Sequence, residues 1–296
     1  MALPVWRSLL YVPVNVEKYV EKAHTRGADC IQLDLEDSVP AGEKAHARTL
    51  VADAAKRVRR GGADVVVRIN SPLESALLDL ESCICGDVDA IAVTKTENAS
   101  YVQRIDEAIS RLESTRGLPE RRTRLIAMVE TPAAFFEMPS IARSSARLVA
   151  MNIGGEDFAL AAGMEPTEET LLMPKQQMIF AARAAGLMPL GFLASVAGFG
   201  DWDAFRRMMR RSRQFGFMGA GCIHPGQVPI VNEEYSPTAE ELELARKIVS
   251  ENAKAESAGR ASFAIDGKMI DVPVVERARR LIERAAAIAA REARKR

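Results

Sequence analysis

The chain has 296 residues, and its 40 Lys plus Arg are balanced by 40 Asp plus Glu, which gives no support to nucleic acid or an anionic membrane as partner. Hydrophobic residues make up 48% and aromatic ones only 5%, so the core must be built from Val, Leu, Ile and Ala, as in α/β proteins with buried parallel strands. No apolar run reaches the roughly eighteen residues of a membrane span, and MALPVWRSLLYVPV at the N-terminus lacks the pattern of a signal peptide.

RSLLYVPV predicts a first strand ending near Val14, with a helix over Val16 to Ala23. CIQLDLED predicts a strand over Cys30 to Asp37, and the Ala-, Lys- and Arg-rich segment after it a helix from Ala41 to Arg59. Strands follow at Asp64 to Asn70 and at Ala90 to Thr96, the latter with a helix through Leu112. RLIAMVE ends a strand at Glu130, and RLVAMNIGG ends one at Gly155. LMPLGFLAS covers Leu187 to Ser195, and GAGCIHPG covers Gly219 to Gly226. Eight such βα units are the count of a TIM (β/α)8 barrel. A doubly wound open sheet is the alternative, but no Gly-rich phosphate fingerprint follows the first strand.

After the last strand the pattern changes, which divides the chain into a barrel over 1–232 and a helical extension over 233–296. In the extension Thr238 and Glu241 form a capping box. IDGKMID reads as a hairpin or turn around Asp266-Gly267, and a helix runs from Pro273 onward with an Arg-rich, solvated face. Cys30 and Cys222 lie in apolar strands. Cys83 and Cys85 are too few for a metal cage, and the chain reads as cytoplasmic and reduced.

A barrel presents its site at the C-terminal strand ends. Those ends carry Asp34, Glu36, Asp37, Arg68, Asn70, Lys95, Glu130, Asp157, Ser195 and His224. Such a ring of carboxylates with one Arg and one Lys reads as an anion-plus-metal site. Mg2+ often takes only one or two carboxylates and fills its other positions with water and substrate. Glu130 and Asp157 suit such a half-open site; the alternative is that both are helix N-terminal carboxylates favoured by the dipole. Arg68 reads as a fixed cation for substrate or as the rim partner of Glu36 and Asp37, and the two roles are compatible. Lys95 is either a charge partner of Glu130 or Asp157 or a binding residue. His224 is expected to bond backbone rather than act as a base. Arg7 starts the first strand, at the foot of the barrel, and reads as structural. Gly154-Gly155 reads as close backbone approach beneath the metal.

In order, RSLLYVPVNVEKYVEKA, IQLDLEDSVPAGEKAHAR, VVVRIN, MVETPAA, GGEDFA and GCIHPGQV resemble the citrate lyase β-subunit-like family, part of the wider HpcH/HpaI aldolase group, over nearly the whole chain. The resemblance implies a Mg2+-dependent barrel (Mn2+ is the alternative ion) that makes or breaks a carbon–carbon bond in a 3-hydroxyacyl-CoA. It implies Glu130 and Asp157 as metal ligands and Arg68 as the contact to the reacting carbonyl. Glu36 and Asp37 match the acidic pair that holds waters of the metal. Asp271 matches the aspartate supplied from an adjacent subunit, which makes a homo-oligomer, a trimer or hexamer in this family, part of the expectation. Asn15 and Lys18 are in place for CoA phosphates or for a solvated helix face. Lys95, Gly155 and Glu156 are further candidates for substrate contact.

Three positions depart from the family pattern: Val14 where Gly is frequent, Thr94 where Pro is frequent, and Leu190-Gly191 where Ile-Asp is frequent. The expected activity is cleavage of citramalyl-CoA or malyl-CoA to acetyl-CoA plus pyruvate or glyoxylate. The alternatives are a malyl-CoA thioesterase and a citrate lyase β-subunit acting on a carrier-bound group. The tail with Asp271 argues for the CoA lyase over the short citrate lyase β-subunits, which are expected to lack this extension. Ser195, Met128, Ile153 and Leu190 are candidates for reading the acyl group.

Overall fold

A computed structural model describes residues 3–194, 200–259 and 262–295. The chain divides into two compact units, Met1–Tyr235 and Ser236–Arg296. In the first, β1 (Ser8–Pro13), α1 (Glu17–Ala23), β2 (Cys30–Asp34), α2 (Lys44–Val58), β3 (Asp64–Ile69) and α3 (Leu73–Cys83) come in strict alternation. Next are β4 (Ala90–Val93), α4 (Ala99–Thr115), β5 (Arg124–Val129), the short α5 (Pro132–Phe136) and α6 (Met138–Ile141), and β6 (Leu148–Ile153). The unit finishes with α7 (Gly155–Ala162), α8 (Glu168–Ala184), β7 (Met188–Pro189), α9 (Trp202–Phe215), β8 (Ala220–Cys222) and α10 (Gln227–Glu234).

The eight strands form one parallel sheet in the order β7-β6-β5-β4-β3-β2-β1-β8. Its ends meet: Leu190 bridges Gly219, the Gly191 N–H donates to the Gly219 carbonyl at 2.8 Å, and the Met218 N–H donates to Pro189 at 2.9 Å. This is the TIM-barrel architecture expected from the βα count. Two apolar layers hold it. Leu9, Cys30, Val66, Ile126, Ala150 and Met188 fill the barrel interior, and a larger cluster including Ile31, Val67, Leu80 and Ile109 packs helices onto strands.

Several strands are shorter than their apolar runs suggest, for local reasons. β2 stops at Asp34 because its carboxylate accepts the backbone N–H groups of Glu36 (3.0 Å) and Ser38 (3.3 Å), which folds the chain over the strand end. β4 stops at Val93, since Lys95 takes φ +46°, outside the extended region. β6 stops at Ile153, and Gly155 already belongs to α7. β7 keeps only Met188–Pro189 of the run Leu187 to Ser195. Pro189 brings no N–H to a ladder, and Gly191 turns away at φ +127°. Ser195 lies outside the described residues. At β8 the Gln227 side chain accepts the N–H groups of Ile223 and His224 (2.8 and 3.0 Å) and ends the strand at Cys222.

The second unit comprises α11 (Ala239–Ser257), a hairpin of β9 (Phe263–Ile265) and β10 (Lys268–Ile270), and α12 (Val272–Ala293). Thr238 and Glu241 make the predicted capping box. Asp266 and Gly267 both have positive φ, the conformation of a tight hairpin turn. Ala245, Ile248, Ile265, Ile270, Val275 and Ala278 form a small core of this unit's own. No helix among the described residues is long and apolar enough to cross a membrane.

Candidate active site

Strand register assembles the rim. Asp34 pairs with Arg68 across β2 and β3, so their side chains stand together at adjacent strand ends. Arg68 Nε donates to Asp34 Oδ1 at 2.7 Å and its Nη2 to Oδ2 at 2.6 Å, a bidentate pair. The remaining nitrogen reaches Glu36 at 2.9 Å and Asp37 at 3.6 Å. The guanidinium also lies 5.0 Å above the Tyr11 ring centroid. Burial would raise the Asp34 carboxyl, but Arg68 and Ser38 outweigh it and hold the group below its ordinary value. Arg68 is thus an oriented cation, locked by three carboxylates.

Glu130 follows β5 and is 3% exposed. Gly154 passes so close that a Cβ there would lie 2.8 Å from Glu130 Cγ, which is the close backbone approach the Gly-Gly pair predicted. Burial, with Asp157 and then Glu36 nearby, pushes the Glu130 carboxyl up to about 8, and Lys95 and Arg68 offset this only in part. Glu36 is raised too, first by burial. Lys95 Nζ pairs with Glu36 at 2.8 Å, and only its backbone N–H meets Glu130, at 3.3 Å, so the expected side-chain partner is corrected to Glu36.

One cavity of about 800 Å3 takes in Arg68, Glu130, Gly155, Glu156 and Asp157, together with Asp37. Lys18 and Lys22 from α1 and Arg26 from the turn after it line the same cavity, a row of three cations. Asn15 and Lys95 do not line it, and Asn15 donates instead to Glu43 at 2.5 Å.

Residues 7–225 match the HpcH/HpaI aldolase/citrate lyase family. The chain belongs to this family. A citrate lyase subunit beta of Haemophilus influenzae is 34% identical over 94% of this chain and 96% of its own length. A mitochondrial citramalyl-CoA lyase of Homo sapiens is 29% identical over 95% of this chain and 86% of its own length. Among solved structures, the protein CitE of Mycobacterium tuberculosis in complex with magnesium, acetoacetate and coenzyme A superposes with a TM-score of 0.76 at 26% identity, covering 96% of this chain and 99% of that one. The citrate lyase match spans 94% of this chain, of which the second unit is about a fifth, so it extends into that unit. The expectation that citrate lyase β-subunits lack the tail is therefore corrected.

The residues of this family member fit a divalent cation. Around Arg68 and Lys95 stand five carboxylates, Asp34, Glu36, Asp37, Glu130 and Asp157, and Asp157 and Glu36 add to the burial that raises the Glu130 carboxyl. Among the described residues no three or more His, Cys, Asp or Glu form a closed metal cage. Two oxygen ligands with open positions are the arrangement a hard cation shared with substrate needs.

The sequence did not single out the cavity residues Lys22, Arg26, Gln32 and Lys175, and it undervalued Asp34. Asp34 appeared only as one of the ring, although it is the main partner of Arg68. Gln32 lines the cavity, and its Nε2 is buried without a hydrogen-bond partner. Lys175 reaches the cavity from α8; its signal was a lone charge on the apolar stripe of Leu171, Met178, Ile179 and Ala182. His224 accepts the Gly226 N–H at 3.0 Å, the backbone role expected for it. Arg7 is bound to Asp29 at the foot of the barrel, as expected of a structural residue. Asp271 belongs to the second unit, at the residue before α12.

Proposed function

We propose that this family member is a Mg2+-dependent CoA-ester lyase that reversibly cleaves the carbon–carbon bond of a short 3-hydroxy-3-carboxyacyl-CoA, such as citramalyl-CoA or malyl-CoA. The products are acetyl-CoA and pyruvate or glyoxylate. The observation that carries this reading is one cavity holding Glu130, Asp157, an oriented Arg68 and the cations of α1. Glu130 and Asp157 would hold the ion, with Mn2+ as the substitute of matching ligand preference. When bound, it supplies Lewis-acid stabilisation of negative charge on the hydroxy-acid oxygens.

The chain's own groups do the rest. The 3-hydroxyl passes its proton to a rim water held by Glu36 and Asp37, the C2–C3 bond breaks, and C3 becomes the carbonyl of the 2-oxo acid. The bonding pair moves into the thioester, whose oxygen takes enolate charge beside Arg68. Asp34 fixes the plane of the guanidinium, so stabilisation needs no reorganisation as charge develops. Glu36 and Asp37 accept hydrogen bonds from waters at the rim. Asp271, from a neighbouring copy, returns a proton to the enolate carbon, and in condensation removes one from acetyl-CoA. Lys18, with Lys22 and Arg26, holds the CoA phosphates, while Gly155 and Glu156 contact the acid. Exposed Phe136, Leu160, Met173 and Phe180 support a homo-oligomer, and the free cysteines support a cytoplasmic location.

A second reading is a citrate lyase β-subunit acting on a carrier-bound group, favoured by the 34% identity that extends into the second unit. The test is a cleavage assay on purified protein with Mg2+ present and then chelated, using (S)-citramalyl-CoA and malyl-CoA. Released oxo acid and free thiol are followed separately. Metal-dependent oxo acid without free thiol is the expected result. Free thiol without oxo acid would make it a thioesterase, and silence with both would favour the carrier-bound reading. Asp271→Ala should abolish cleavage and leave Mg2+ binding intact; undiminished turnover would remove Asp271 from the mechanism.

A further inference from the structure

Glu36 is held from two sides. On the barrel side its carboxylate meets Arg68 at 2.9 Å and Lys95 at 2.8 Å. On the helix side its carbonyl accepts from Lys44 Nζ at 3.0 Å, and the same nitrogen donates to the Leu35 carbonyl at 3.1 Å and to Asn70 Oδ1 at 2.5 Å. An ammonium has three donors, and all three are spent here. None of the acceptors is a carboxylate.

Behind Lys44 the network continues. Asn70 follows β3 and is buried, and its Nδ2 donates both to the Leu35 carbonyl and to Asp79 Oδ2, at 2.8 Å each. Its backbone N–H donates to the same Asp79 oxygen at 2.7 Å. Asp79 is fully buried on α3, and its other oxygen accepts Arg48 Nε at 2.6 Å. Lys44 and Arg48 lie one turn apart on α2 and so share a face. The chain Arg48–Asp79–Asn70–Lys44 thus ties α2 and α3 to the turn after β2.

Helix packing alone does not call for this lysine. Lys44 is the first residue of α2, the end at which the helix dipole disfavours a cation. Two backbone carbonyls could be met by neutral donors. The carbonyls of Leu35 and Glu36 belong, however, to the two peptide groups that flank the Glu36 Cα. Holding both from one nitrogen sets the backbone dihedrals of Glu36, and with them the direction of its side chain.

We propose that Lys44 is a positioning residue of the rim, which clamps the peptide groups on either side of Glu36 and so aims its carboxylate at the waters of the bound cation. The role rests on the reading of this rim as the cation site.

The test is a Mg2+ titration by calorimetry on the full chain, in wild type, Lys44→Met, Glu36→Gln and the double variant. Lys44→Met should weaken Mg2+ binding about tenfold or more. In the Glu36→Gln background the same substitution should cost less than about twofold, because the two residues act as one unit. Arg147→Met, destabilised at the far end of the barrel, should keep its affinity within about twofold of wild type, which separates positioning from loss of stability. Unchanged affinity in Lys44→Met, equal losses in the two backgrounds, or no Mg2+ binding in wild type overturns the proposal. Where Lys44→Met fails to fold, Lys44→Gln takes its place under the same criteria. A wild type that binds Mg2+ but cleaves neither thioester would count against the lyase reading, whereas the affinities would still decide the role of Lys44.

Discussion

The two ends of the barrel handle charge in opposite ways. At the foot, the buried arginines Arg7 and Arg147 are both matched. Arg7 meets Asp29 through Nε at 2.8 Å with both side chains buried. Arg147, before β6, is fully buried and bound to Glu113 at 2.7 Å and Asp106 at 2.6 Å. At the opposite rim, five carboxylates crowd Arg68 and Lys95, and burial, with Asp157 and Glu36 adding to it, pushes Glu130 up to about 8. Closed networks fix a structure, whereas an uncompensated one stores electrostatic free energy that a ligand releases. The contrast separates residues that hold the barrel from residues that wait for a cation and substrate.

The largest expected effect follows from removing a rim charge. Glu130→Gln should lower kcat/KM by about a thousandfold or more, the several kcal/mol a Lewis acid contributes. The same variant should melt higher than wild type at pH 7 in the absence of metal, since the unfolded chain gains by ionising Glu130 while the folded protein keeps it protonated, and Gln removes that difference. Steady-state kinetics and a melting curve check both, and a lower melting temperature would break the comparison.

The foot should respond in reverse. Arg147→Met leaves Glu113 buried and unpaired and should destabilise the protein by about 3–5 kcal/mol. Its kcat and KM should stay near wild type at temperatures well below the melt. Denaturant unfolding alongside turnover reads the split, and a fall in kcat without loss of stability would contradict it.

Smaller, but sharper in sign, is the pH dependence. The Glu130 carboxyl has a folded pKa of about 8 against an ordinary value of 4.5. Between those values the native state keeps a proton that the unfolded chain has lost. The contribution of Glu130 to metal-free stability should therefore fall as pH rises from 4.5 toward 8, then level off. The difference in melting temperature between wild type and Glu130→Gln, followed across this window, isolates the effect. A difference that stays flat would remove the electrostatic argument.

Much of this contrast was legible in the sequence because it lies at strand ends. Apolar runs closing on Glu130, Arg68 and the Gly-Glu-Asp segment place those residues on one rim as soon as eight βα units are counted. What periodicity does not encode is partner choice. That Arg68 binds Asp34 most closely depends on β2–β3 register, and that Lys95 turns to Glu36 depends on a backbone at φ +46°. Lys175 was hidden for another reason: a helix pattern tells which face is buried, not that a cation on that face reaches a cavity. The run Leu187 to Ser195 overstated β7, because apolar composition does not register the lost N–H of Pro189 or the turn at Gly191.

The most direct measurement is a Mg2+ titration by calorimetry on metal-free protein at pH 7, repeated in buffers of different ionisation enthalpy and with Glu130→Gln. The account predicts one site in wild type, release of close to one proton on binding, and loss of that site in the variant. Binding that survives Glu130→Gln undiminished, or no binding in wild type, would contradict the claim that this rim is the cation site.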